Sequence, residues 1–261
     1  MPIKVHAQLR RPSQEEFAQI SYEVMNCVFA IHNEIGRFFD ERIYKREMAR
    51  RLGEVELEVP IEVSFRTFRK FYFLDVLVRQ SGVFEFKAQE RIGPKDQGQL
   101  LNYLLLSELP HGKLINLRPD KVEHEFVNTT LRLGDRINFT VEDRDFSILH
   151  DELRWKEWLV GAVREWGTGL DLQLYEDVLI HALGGESQVT QDVEVVIQGC
   201  SLATQKVRMC GPGIAFKITA LTEGQEAFEN HARRFLAHTR LPAIQWLNLT
   251  RSTLTFRTLR P

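Results

Sequence analysis

The sequence repeats itself, and this restricts the fold more than any other feature. Laying residues 36–53 over 167–184 needs no gap: Gly36 falls on Gly167, Asp40 on Asp171, Tyr44 on Tyr175, Leu52 on Leu183 and Gly53 on Gly184. Just upstream, Glu34 falls on Glu165. Farther on, EFKA (85–88) falls on AFKI (215–218), QLLNYLLLSELP (99–110) on HARRFLAHTRLP (231–242), and INL (115–117) on LNL (247–249). The offset drifts only between 130 and 132. Similarity at one spacing over four separate elements predicts one fold written twice. A chain of 261 residues has the length for two modest domains.

Hydrophobic periodicity in the first copy predicts its elements. Phe17, Ile20, Val24, Cys27, Val28 and Ile31 recur at helical spacing from Glu15 to Ile35, and Gly36 stops the run. A second helix is predicted from about Asp40 to Leu52. Alternation from Val55 continues past Pro60 to Phe65, and FYFLDVLV (71–78) and GVFEFKA (82–88) read as further strands. A helix from Gln97 to Leu109 and strands at 113–117 and 123–128 complete an α/β pattern, a mixed sheet with helices packed on it. The predicted domains are 14–130 and 150–261. Residues 131–149 read as a linker and residues 1–13 as a loose basic leader.

The copies differ where polar chemistry sits. Glu41 falls on Leu172, Glu85 on Ala215 and Gln99 on His231, while Lys87 falls on Lys217. No acidic residue lies within QKVRMC (205–210), the counterpart of the Asp75 strand. Core positions persist while carboxylates vanish, as expected if the first copy performs chemistry and the second retains the fold.

Asp75 and Glu85 lie in otherwise apolar strands. A carboxylate there is costly unless it is paired or binds a metal. Two converging carboxylates offer hard oxygen ligands, which suit Mg²⁺ or Mn²⁺. Lys87, two residues after Glu85, points to the same face of its strand. It can orient a water or stabilise a phosphate in its transition state. Glu41 on the early helix is a candidate third metal ligand. Gln99 and Tyr103, one turn apart on the later helix, are candidates for contacting the reacting water or the substrate. The bland alternative is a buried structural ion pair within Asp75, Glu85 and Lys87. Arg66, Arg69 and Lys70 before the Asp75 strand, and Arg91 and Lys95 after Lys87, are weaker candidates for phosphate contact.

These residues carry a resemblance. The arrangement resembles the PD-(D/E)xK nuclease superfamily, and Gln99 with Tyr103 resembles the QxxxY motif of its RecB-like branch. More closely, residues from about 20 to 128 resemble the bacterial GxxExxY family, through AIHNEIG (30–36), ERIY (41–44), VPIEV (59–63), FLDVLV (73–78), FEFKA (84–88), QLLNYL (99–104) and LINL (114–117). Two positions depart from the pattern. Phe38 stands where the family's motif has glycine, and Leu74 where the superfamily has proline. The resemblance implies two tandem restriction-endonuclease-like domains, the second degenerate, which pack as a pseudo-dimer. It also implies metal ligation by Asp75 and Glu85, a supporting role for Glu41 and a catalytic Lys87. The implied activity is Mg²⁺-dependent hydrolysis of phosphodiester bonds in DNA.

Composition narrows the remaining classes. A net charge of −2 excludes a wholly basic nucleic-acid glove but leaves room for a local groove of lysine and arginine. Cys27, Cys200 and Cys210 form no CxxC pair, which argues against zinc, iron–sulfur and disulfide frameworks. Cys200 and Cys210 read as small buried residues, and Trp155, Trp158 and Trp166 as core or interface. No apolar run reaches the ~20 residues of a membrane span, and no signal core is present, so a cytoplasmic protein is expected. Nothing separates DNA from RNA as substrate, and a protein partner or homodimer is compatible with the pattern. The rival class is a non-catalytic nucleic-acid-binding or assembly module whose first site is vestigial.

Overall fold

The computed structural model describes residues 2–150 and 152–261. The chain divides into two compact units, Met1–Leu133 and Gly134–Pro261. Among the described residues, no helix is long and apolar enough to cross a membrane.

The first unit runs β1 (Ile3–Val5), α1 (Gln14–Ile35), α2 (Glu41–Leu52), β2 (Val55–Phe65), β3 (Phe68–Val78), β4 (Gly82–Lys87), α3 (Pro94–Ser107), β5 (His111–Asn116) and β6 (Glu123–Asn128). Ser13 caps α1, its hydroxyl accepting the Glu16 N–H at 3.2 Å, with Glu15 and Glu16 against the positive end of the helix dipole. Pro94 opens α3, where its missing N–H costs nothing, and the Asp96 carboxylate accepts the Gly93 N–H at 2.9 Å. The strands form one sheet in the order β1-β2-β3-β4-β5-β6. All pairs are antiparallel except β4 and β5, which are joined through α3 and run parallel. Phe17, Val24, Val28 and Ile31 of α1 and Tyr44 and Met48 of α2 pack on Val76, Phe84, Phe86 and Ile115 of the sheet. That apolar layer fixes β3 and β4 side by side.

The second unit runs α4 (Leu133–Arg136), β7 (Thr140–Glu142), α5 (Glu152–Trp166), α6 (Leu172–Ala182), α7 (Glu186–Val189), β8 (Thr190–Ile197), β9 (Cys200–Gly211), β10 (Ile214–Thr219), α8 (Gln225–Thr239), β11 (Ala243–Leu249) and β12 (Thr253–Leu259). Its sheet order is β7-β12-β11-β10-β9-β8. From β8 to β12 its connectivity repeats that of β2 to β6, including the single parallel pair, here β10 with β11. The added strands differ: β1 extends the first sheet beside β2, and β7 extends the second beside β12.

Local hydrogen bonds repeat as well. Gly36 (φ 77°) and Gly167 (φ 79°) end their helices, donating to His32 O at 2.9 Å and to Val163 O at 2.8 Å. Tyr44 donates its hydroxyl to Gly36 O at 2.8 Å, and Tyr175 donates to Gly167 O. Gly167 has a second constraint: a Cβ there would lie 2.7 Å from Arg136 Cβ. Gly167→Ala therefore combines left-handed strain of ~1–2 kcal/mol with an overlap worth ~1–3 kcal/mol. A melting temperature about 10 °C lower is expected by calorimetry. An unchanged transition would show that the second unit does not rely on this turn.

Asn116 and Asn248 set the register between the units. Asn116 brackets the second residue beyond β4, accepting Gln89 N–H at 3.1 Å and donating to Gln89 O at 2.8 Å. Asn248 does the same to Leu221, at 2.7 and 2.8 Å. In the parallel pairs, Lys87 lies opposite Asn116 and Thr219 opposite Asn248. Lys217 thus takes the place of Glu85, and Thr219 that of Lys87. The expected matches of Lys87 with Lys217 and of Glu85 with Ala215 are two residues out of register. The lettering FKA/FKI favoured them, whereas strand pairing obeys the asparagine.

Three other expectations are corrected. The leader is not wholly loose, because Ile3–Val5 pairs antiparallel with Ile61–Val63. The 131–149 segment holds α4 and β7, and buried Arg136 donates from Nη1 to Trp166 O and Thr168 O at 3.0 and 3.1 Å. Cys210 is buried but Cys200 is exposed, at the turn end of the β8–β9 hairpin. Trp155 and Trp166 are core residues.

Candidate active site

The site lies where α2, β2, β3, β4 and α3 meet. Asp75 and Glu85 are buried, at 9% and 1% exposure. Asp75 Oδ2 accepts the Phe86 N–H from the neighbouring strand at 3.1 Å, and its Oδ1 accepts from Lys45 Nζ at 3.0 Å. Glu85 Oε1 accepts from Lys87 Nζ at 2.7 Å, while Glu85 Oε2 is buried with no hydrogen-bond partner. Lys87 Nζ also donates to Gln99 Oε1 at 3.2 Å, and Gln99 Nε2 donates to Tyr103 Oη at 2.9 Å. Tyr103 meets Tyr72 edge to face, 6.3 Å between centroids. Glu41, at the start of α2, reaches Lys45 Nζ at 3.2 Å. The structure brings the six predicted residues together as two adjacent networks, Glu41 and Asp75 around Lys45, and Glu85, Lys87, Gln99 and Tyr103 in a hydrogen-bonded chain, which meet where Asp75 accepts the Phe86 N–H.

Two members were not foreseen. Lys45 is 5% exposed and its ammonium lies among Glu41, Glu58 and Asp75. Its i,i+4 spacing from Glu41 was the available signal, lost in a helix that also carries Arg42, Arg46, Arg50 and Arg51. Glu58 sits in the middle of β2 with φ 51°. The ladder pairs Leu57 with Val76 and Val59 with Leu74, but skips the step between Glu58 and Asp75. A left-handed glutamate inside a strand is strained, and such strain persists where surrounding contacts enforce it. Here the contact is the ion pair to Lys45. In the sequence Glu58 was masked by alternation, reading as one more solvent-facing glutamate.

The electrostatics follow from this crowding. Burial pushes the Glu85 carboxyl up to about 7, the charge of Asp75 adds to the rise, and Lys87 opposes it. Burial and Asp75 likewise raise Glu41, against Lys45. Burial pulls Lys45 down, but its bonds to Glu58 and Asp75 win and hold it above the usual lysine range. Burial also opposes the charge on Lys87, and Glu85 outweighs it. Burial raises the Tyr103 hydroxyl. The cluster holds two ammonium groups against four carboxyl groups: Glu41, Glu58, Asp75 and Glu85.

Among the described residues, no three acidic, histidine or cysteine side chains converge as a ready-made metal cage. The ammonium groups of Lys45 and Lys87 lie among the carboxylates instead. The chemistry of the donor set nevertheless fits a hard divalent cation. A buried carboxylate oxygen without a partner is costly, and Glu85 Oε2 is one. Each Asp75 oxygen accepts one bond and keeps a further lone pair.

The weaker basic candidates fall into two places. Arg66 stands at the β2–β3 turn (φ 51°) over the Phe65 ring, Arg69 pairs with Glu62 at 3.5 Å, and Lys70 lies over Tyr72 at 5.0 Å. Arg91 and Lys95 are exposed at the entry to α3, just beyond Lys87. His32 is buried, with Nε2 3.2 Å from Pro119 O, a structural contact.

Comparison with known proteins gives one informative result. Residues 18–143 match the family model of the PD-(D/E)XK nuclease superfamily, which suggests nuclease activity for this part of the chain. The solved structure of SSO0001 is 22% identical over 46% of this chain and 60% of its own, with a TM-score of 0.30. A likeness that low carries no argument. No curated protein matches the chain.

Proposed function

We propose that the first unit hydrolyses phosphodiester bonds in DNA with the help of Mg²⁺ or Mn²⁺, as a member of the GxxExxY group within the RecB-like branch. The observation that carries this reading is the orphaned, buried Glu85 Oε2 beside Asp75 and Lys87. Asp75 and Glu85 would hold the cation, with Glu41 in support. Such a cation lowers the pKa of a bound water and neutralises charge building on the phosphate. Asp75 is fixed on both oxygens, by Phe86 N–H and by Lys45, so it enters the reaction already oriented. Lys87 is steered by Glu85 and Gln99 and carries its charge to the face where the phosphate reacts. Tyr103 fixes the rotamer of Gln99 through its hydroxyl. Arg91 and Lys95, exposed at the entry to α3, would meet flanking phosphates.

A second reading has its own support. Lys45 neutralises carboxylates of the cluster without any metal, as a vestigial site in a nucleic-acid-binding or assembly module would need. Calorimetric titration with Mn²⁺ separates the two. Hydrolysis requires binding by the wild type and at least tenfold weaker binding by Glu85→Gln. Absence of binding in a folded wild type favours the module.

A further inference from the structure

The two units finish one edge of their sheets differently. In the second, β7 pairs parallel with β12, and the chain beyond β7 follows that strand as far as Thr258, whose N–H donates to Asp145 O at 2.9 Å. In the first, β6 is the equivalent strand, and among the described residues no strand pairs with its outer edge. The asparagines fix the correspondence, since Asn116 lies opposite Glu123 and Asn248 opposite Thr255. His124 thus takes the place of Phe256, Phe126 that of Thr258, and Lys113 that of Gln245.

The covering segment of the second unit satisfies groups that the first leaves open. Gln245 is buried, and its Nε2 donates to Ser147 O at 3.0 Å, so the backbone of the segment serves it. Phe146 of the segment meets buried Phe256, 5.6 Å between centroids. Lys113 has no such cover. It is 4% exposed, its Nζ donates to Ser21 Oγ at 3.1 Å, and it lies 4.2 Å from the centre of the Phe126 ring. Burial pulls its ammonium below the usual lysine range, and no carboxylate among the described residues opposes the fall. A buried ammonium without a counter-charge is costly. Beside it His124 and Phe126 stand exposed along the edge, with Phe29 of α1 edge to face with His124 at 6.4 Å. An open edge pairs readily with another extended chain, the backbone giving affinity and alternate side chains specificity. A second copy of β6 does not fit this need. On the Lys113 face it offers His124, Phe126 and Asn128, and on the other face Glu123 and Glu125. It would bring a second ammonium and a second row of glutamates, with no carboxylate for Lys113.

We propose that the outer edge of β6 docks an extended segment of a partner protein, parallel to β6, that brings a carboxylate to Lys113, an aromatic ring to His124 and Phe126, and basic residues to Glu123 and Glu125. The proposal does not rest on the nuclease reading of the acidic cluster.

The probe is a fluorescein-labelled synthetic peptide with the sequence of residues 139–148, the segment that covers β12, carrying two changes. Ser147→Asp supplies a carboxylate where Gln245 meets the segment. Glu142→Lys supplies a cation at the residue beside Thr255, whose place Glu123 takes. Anisotropy is measured with the full chain, with Lys113→Met and with Phe126→Pro. Proline is tolerated on an edge strand, and here it removes the N–H whose counterpart at Thr258 binds the segment. The full chain should bind the peptide. Lys113→Met should weaken binding about tenfold, the effect of one hydrogen bond between charged groups, and should leave unchanged the affinity for the same peptide with serine kept at 147. Phe126→Pro should weaken both peptides about tenfold through the lost backbone bond and ring. Circular dichroism should match the wild type for both variants, and Lys113→Met alone carries the test if the proline variant misfolds. No binding up to about 1 mM, or equal binding by the wild type and Lys113→Met, would overturn the proposal. In sedimentation velocity the chain alone should show no dimer that Phe126→Pro dissolves. Such a dimer would assign the edge to a second copy and overturn the partner reading.

Discussion

Asp75→Ala is expected to abolish cleavage and to destabilise the first unit by about 2–5 kcal/mol. Both effects come from the two bonds that the carboxylate makes. Loss of Oδ2 strands the buried Phe86 N–H, worth ~1–3 kcal/mol. Loss of Oδ1 removes the most buried of the carboxylates around Lys45, and breaking a buried pair from one side costs up to ~3–5 kcal/mol. The upper end is not reached because Glu41 and Glu58 still face the ammonium. Asp75→Asn separates stability from chemistry. Its amide oxygen still accepts from Phe86, but its NH2 then faces the Lys45 ammonium, so the melting temperature should recover only the Phe86 part of the loss, while the missing charge keeps cleavage absent. Recovery of both activity and stability in Asp75→Asn would show that Asp75 has a structural task alone.

Lys87→Ala is expected to lower kcat by about 10²–10³-fold, the usual loss when one positioned donor to a transition state is removed. The binding of Mn²⁺ should change little, because the lysine is not a ligand. Its removal frees Glu85 Oε1, so any shift in metal affinity should be toward tighter binding. An intact kcat with a raised KM would reassign Lys87 to substrate binding. Gln99→Ala should fall between Lys87→Ala and the wild type, since Gln99 reaches the reaction through Lys87.

Much of the first unit was legible because its physical signals are local. The α1 stripe, the Gly36 stop and the apolar strands around Asp75 and Glu85 all announce themselves at short range. A carboxylate inside an apolar strand is visible for the same reason that it is costly. Lys45 and Glu58 were hidden because their significance is long-range. One lies in a helix crowded with cations, the other in a strand whose alternation continues through it, and only the skipped ladder step beside Asp75 reveals the latter. β1 was hidden because three residues carry no usable period and gain a partner only across the sheet. The repeat was legible, but its register was misread at one strand. Identical letters at Phe86–Lys87 and Phe216–Lys217 outweighed the spacing of Asn116 and Asn248, which the hydrogen bonds obey.

That misreading matters, because the true register changes what the second unit has lost. It retains no lysine equivalent to Lys87 and gains one at the position of Glu85.

The most direct test of the account is a cleavage assay on linear, circular and single-stranded DNA and on RNA, with Mn²⁺ or with EDTA, comparing the wild type and Lys87→Ala. The account predicts cleavage of DNA by the wild type with Mn²⁺, none with EDTA, and at least a hundredfold slower reaction in the variant. Cleavage that persists in EDTA, or none from a folded wild type on any of these substrates, would contradict it.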